Sequence, residues 1–279
     1  MNKKFVRLTA GAGILLALAF FTSSCSKDNT TGKQITVVPP DQPKPKDPVT
    51  YTLQWSDEFN GPAIDTKVWN METGNLGVNN EKEYYQAANA DIEDGNLVIT
   101  AKKESVGGFP YTSARLNTMD KFSVTYGRIE ARIKVPLGVG FWPAFWMLGS
   151  NISTVNWPNC GEIDIMEHVN DNNLIYGTMH WNSGGGHAQY GDQFNNPTPG
   201  DYHIYAVEWD ESEIRWYVDD KLFVTGNIAA NINNTGAFHL PFFILLNFAV
   251  AGDFPGQTVD ETKLPAKMYV DYVRVYKAN

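Results

Sequence analysis

The chain has 279 residues, with 31 acidic against 22 basic side chains and a net charge of −9 when the five histidines are neutral. An acidic surface disfavours nucleic acid, anionic membranes and strongly sulfated polymers as partners, and two cysteines are too few for a disulfide framework. Stability must come from a large core, to which eight Trp, thirteen Tyr and fifteen Phe contribute.

The amino terminus places Lys3, Lys4 and Arg7 before an apolar run from Leu8 to Phe21, then Thr22-Ser23-Ser24-Cys25. A basic start, an apolar stretch too short to span a bilayer stably and a small-residue site predict an export signal over 1–24. The Cys after small residues looks like a bacterial lipobox, which would acylate Cys25 and place the protein on the outer membrane or cell surface; an ordinary signal peptide cleaved nearby is the alternative. Removing the three cations of this segment from −9 leaves −12 on the exported chain. Residues 25–50 are polar and crowd Pro39, Pro40, Pro43, Pro45 and Pro48 together, which predicts an extended tether rather than a folded unit.

From Tyr51 onward the pattern changes to short strands, and 51–279 is long enough for one all-β domain. Strands are expected over 97–102, 114–118, 174–181, 202–209, 242–250 and 268–276. A further one is expected over 122–135, where Ile129, Ala131, Ile133 and Val135 alternate with Arg128, Glu130, Arg132 and Lys134. Ile214, Trp216 and Val218 repeat the alternation before a hairpin turn at Asp219-Asp220, and Gly184-Gly185-Gly186 reads as a flexible loop. No stretch keeps helical periodicity over three turns, so two sheets packed face to face are the expected architecture.

Glu162-Ile163-Asp164-Ile165-Met166-Glu167 interleaves three carboxylates with aliphatic residues that read as a buried strand. Strand side chains alternate faces, so Glu162 and Asp164 share one face and Glu167 falls on the other. One extra residue near Ile165 or Met166, a β-bulge, returns Glu167 to the first face. Two carboxyls lining one wall suit a retaining glycosidase, in which they stand ~5–5.5 Å apart, one attacking the sugar and the other protonating the leaving oxygen. The bland alternative is an exposed edge strand with solvated acids.

This motif resembles the active-site signature of glycoside hydrolase family 16 in its bulged, laminarinase-like form. The likeness continues through Trp55-Ser56-Asp57-Glu58-Phe59-Asn60-Gly61, Tyr126-Gly127-Arg128-Ile129-Glu130-Ala131-Arg132, Trp142-Pro143-Ala144-Phe145-Trp146-Met147-Leu148 and Val270-Asp271-Tyr272-Val273-Arg274-Val275-Tyr276, in order over nearly all of 51–279. The resemblance implies a β-jelly-roll sandwich of concanavalin type with an open cleft. It also implies a monomeric endo-hydrolase of β-1,3- or mixed β-1,3/1,4-glucans that needs no cofactor for catalysis. Agarases and carrageenases share the bulge, and some relatives bind glucan without cleaving it.

Residue by residue, the resemblance makes Glu162 the nucleophile, Glu167 the acid/base and Asp164 the residue that tunes the nucleophile. Trp142 and Trp146, four apart and so on one strand face, would stack on glucose rings, with core packing as the alternative. Asn80 and Arg115 would contact sugar hydroxyls on the non-reducing side, Arg115 serving equally well as a structural partner for an acid. His180 would face the cleft, a hydrogen-bonded structural histidine being the alternative, and Asn247 would line it, whereas His168 reads as structural. Near Asn247 the chain has Ala251 where the family usually has Gly, which leaves that loop's shape open. A structural Ca²⁺ would use Asp271 and the backbone oxygen of Gly95.

Overall fold

The computed structural model describes residues 49–279; the signal segment, Cys25 and nearly all of the tether lie outside them. Among the described residues, two large antiparallel sheets form a jelly-roll sandwich. The first orders its strands Gly186–Asn195, Leu174–Ser183, Glu162–His168, Phe141–Gly149, Phe242–Val250, Arg115–Asn117 and Asn70–Met71. The second runs Lys221–Asn227, Glu213–Val218, Tyr202–Trp209, Gly127–Lys134, Ala266–Ala278, Asn96–Ala101 and Ala90–Glu93, with Tyr51–Asp57 also paired to Ala266–Ala278. Helical structure is confined to short segments such as the four-residue turn Ile152–Val155.

Period-two patterning places the core between the sheets. Ile129, Ala131, Ile133 and Val135 are buried and meet Ile163, Ile165, Met166, Ile175 and Met179 from the opposite sheet in one apolar cluster. On the opposite strand face Arg128 is mostly covered and pairs with the buried Glu130 at 2.8 Å and with Asp220 at 2.7 Å. Asp219 and Asp220 both take positive φ, 48° and 60°, and close the expected hairpin between Glu213–Val218 and Lys221–Asn227.

Two expectations are corrected. The strand over 122–135 begins only at Gly127: Tyr126 has φ 64°, which breaks the extended run, and upstream only Val124 bridges to Phe242. Gly184 and Gly185 (φ 65° and 89°) make a tight turn rather than a loose loop, because Ser183 pairs with Gly186 and the chain returns as the edge strand Gly186–Asn195. That strand is mostly exposed and polar, so it carries no alternating apolar signal.

Candidate active site

The strand Glu162–His168 is bulged, and its neighbours show where. Against Phe141–Gly149, Glu162 pairs with Leu148 and Glu167 with Ala144; against Leu174–Ser183 the partners are His180 and Tyr176. Five residue steps on the central strand thus face four on each neighbour, with the register slipping after Asp164. Ile165 and Met166 both enter the core, and Glu167 returns to the face of Glu162 and Asp164.

Tertiary packing secures the bulge. The indole of Trp216, fully buried on the facing sheet, donates to the backbone oxygen of Asp164 at 2.8 Å, satisfying a carbonyl beside the register slip. Gly177, opposite the bulge, makes room for it: a Cβ there would lie 2.6 Å from the Trp216 ring. Local sequence around the acids gives no hint of Trp216, which is 52 residues away from Asp164.

The cleft runs over this sheet face as two adjoining pockets of about 420 and 630 Å³, with Glu162, Glu167 and Trp142 lining both. One side holds Trp146, Arg115, Asn247 and Leu76; the other holds Tyr176, His180, His187, Gln189 and Phe254. Each carboxylate of the pair accepts from an indole: Glu167 Oε1 from Trp142 at 2.9 Å and Glu162 Oε2 from Trp157 at 2.8 Å. Asp164 is 3% exposed and hydrogen-bonded to Glu162, with its Oδ2 3.0 Å from His180 Nε2.

Burial pushes all three carboxyls up. Glu162 rises to about 8, through desolvation and then repulsion by Asp164; Glu167 rises to about 7, through desolvation and repulsion by Glu162, against the Trp142 bond. Asp164 is held well above its ordinary range by desolvation and by Glu167. All three carboxyls line the cleft, Asp164 the most buried of them, and Glu162 and Asp164 share a proton as a coupled pair.

Most other candidate residues meet at the cleft, with differences in detail. Trp146 lies half-buried, donates to Asn247 Oδ1 at 2.8 Å and carries the Arg115 guanidinium 4.8 Å from its ring centre. Arg115 also pairs with Glu72 at 3.1 Å, so it is structural as well as cleft-lining. Asn247 is buried at the floor. Asn80 instead turns its amide to Asp253 at 2.8 Å, and its neighbour Asn79 lines both pockets. His168 is buried and bonds to the Asn172 carbonyl at 2.9 Å. Ala251 adopts φ 61°, so the loop keeps a left-handed backbone without the glycine.

Calcium ions take six to eight oxygens. Asp271 Oδ2 accepts from Arg132 Nη1 at 2.7 Å, and Asp271 belongs to no group of three acidic or imidazole ligands among the described residues. Its Oδ1 is the carboxylate oxygen left for a hard cation. Residues missed from sequence include Trp157, His187 and Asn79; Trp157, 44% exposed beside the acid motif, was the most legible signal.

With this geometry established, comparison with known proteins shows that the chain belongs to glycosyl hydrolases family 16, whose family model matches residues 78–274. The catalytic domain of an endo-1,3-beta-glucanase (laminarinase) from Thermotoga petrophila RKU-1 superposes with a TM-score of 0.77 and 44% identity, covering 83% of this chain and 99% of that one. A beta-glucanase of Rhodothermus marinus is 42% identical over 81% of this chain and 85% of its own length. The clotting factor G alpha subunit of Tachypleus tridentatus is 45% identical over 81% of this chain. The chain spans only 34% of that subunit's length.

Proposed function

We propose that this protein is an endo-hydrolase that cleaves β-1,3- or mixed β-1,3/1,4-glucan with retention of configuration. The observation that carries the reading is the bulge that brings Glu162, Asp164 and Glu167 onto one cleft wall between aromatic walls. Relatives named laminarinase and beta-glucanase support the substrate class. Glu162, in its ionised form, attacks the anomeric carbon while Glu167 protonates the departing glycosidic oxygen; Glu167 then takes a proton from the water that releases the sugar. Trp142 and Trp146 offer ring faces to the glucose units.

Initial rates and product profiles on laminarin, cereal mixed-linkage glucan, agarose and carrageenan test the assignment. Rapid endo-cleavage is expected of the two glucans and none of the other two. Faster cleavage of agarose or carrageenan would overturn the substrate class. A folded Glu162→Ala variant should bind glucan without cleaving it, and near wild-type turnover would refute the mechanism. Binding with no cleavage by the wild-type chain would favour a glucan-binding protein.

Acylation of Cys25, with the tether holding the hydrolase off the membrane at about 3 Å per residue in its proline-rich part, belongs to the same proposal, and its positions lie outside the described residues. Metabolic labelling with a tagged fatty acid tests it: an unlabelled, freely secreted chain would refute anchoring alone. Calcium bound at Asp271 and Gly95 is a separate proposal, tested by the melting temperature with calcium and with chelator.

A further inference from the structure

Glu162, Asp164 and His180 stand close enough to share one cation: a ligand atom from each lies within 4.8 Å of the other two. Zinc bonds of about 2.0–2.1 Å in a tetrahedron put ligand atoms roughly 3.3 Å apart, so ångström-scale side-chain shifts close the set on an ion.

Two observations point to a ligand rather than to a self-sufficient cluster. Asp164 is 3% exposed, yet its Oδ2 has no directed hydrogen bond among the described residues, which buried carboxylate oxygens rarely tolerate. His180 Nε2 stands 3.0 Å from it, an ion-pair contact without that geometry. Behind the ring, His180 Nδ1 lies 2.9 Å from His187 Nε2. In the tautomer where His180 donates Nδ1–H to His187, its Nε2 lone pair faces Asp164 Oδ2 with nothing between them. Metal-ligating histidines are built this way: the outer nitrogen bonds a second residue that sets the tautomer, and the inner one is left free to coordinate.

We propose that Glu162, Asp164 and His180 form a binding site for a borderline first-row divalent cation, zinc above all, and that its occupation switches the hydrolase off by engaging the nucleophile. Mixed imidazole and carboxylate donors suit zinc, whereas calcium and magnesium favour all-oxygen sets. Glu162 and His180 line the open cleft, so a fourth ligand can come from water there. The inhibitory half rests on the glucanase reading; the binding half does not.

Calorimetric titration of zinc chloride into the full chain, with calcium chloride as the comparison, tests the site. Saturable zinc binding is expected, with affinity reduced about tenfold or more in His180→Ala and in His187→Ala, the size of loss seen when metal-site support is removed. Glu162→Gln, which nearly preserves side-chain volume, should weaken it too and covers the case of a misfolded His180 variant. Zinc should also inhibit laminarin hydrolysis competitively, and chelation should reverse this. Unchanged zinc affinity in folded His180→Ala and Glu162→Gln, or no saturable binding below millimolar zinc, would overturn the site. Hydrolysis indifferent to bound zinc would overturn the switch. Saturable binding by a chain that cleaves no glucan would instead refute the hydrolase reading and leave the metal site standing.

Discussion

Replacing Glu167 by Gln should abolish turnover and, at alkaline pH, make the protein more stable. The wild-type carboxyl rises from 4.5 to about 7 because it is desolvated and faces Glu162. Between those values the folded protein holds a proton that the unfolded chain has released, so this group makes wild-type stability fall as pH rises through the window. The full displacement corresponds to about 3 kcal/mol. Water reaches Glu167 from the open cleft, so about 1–2 kcal/mol is the realistic gain once screening is allowed for. Gln keeps the size and can still accept from Trp142, but it carries no charge to desolvate. Urea unfolding of wild type and Glu167→Gln at pH 4.5 and pH 8 measures the effect. The variant should match wild type at the lower pH and exceed it at the higher. A stability difference that does not change between the two would refute the origin assigned to this carboxyl's upward shift.

The remaining predictions concern the same cleft. With Glu162 and Glu167 raised to about 8 and about 7, kcat/KM on laminarin should be bell-shaped around neutral pH, and Asp164→Asn should move the acidic limb, set by ionisation of the nucleophile Glu162, to lower pH; an acidic limb that stays in place would discount repulsion by Asp164. Trp146→Ala should weaken long-glucan binding by about 1–3 kcal/mol through lost ring contact, measured by affinity electrophoresis in laminarin gels; unchanged mobility of a folded variant would assign the ring to packing alone. Trp216→Phe leaves the Asp164 carbonyl without its indole partner and should cost about 1–3 kcal/mol of stability and lower kcat. Wild-type values for both would mean that the bulge holds itself.

What the sequence determined by itself is local and periodic. The strands Tyr202–Trp209 and Phe242–Val250 have the bounds read from their patterning, and the strand parity of the acid motif demanded a bulge near Ile165 and Met166, where the register slips. Parity is a property of consecutive residues, so it survives without knowledge of the neighbours. The tertiary structure decided everything that depends on which strands meet. Asn79 rather than Asn80 lines the cleft because Asp253, 173 residues beyond Asn80, claims the Asn80 amide. Trp216 reaches the bulge from the other sheet through the space left by Gly177, and His187 comes behind His180 only because an exposed polar edge strand folds back through a two-glycine turn. These are contacts between distant segments, each set by packing and hydrogen-bond satisfaction across the fold, and no spacing along the chain encodes them.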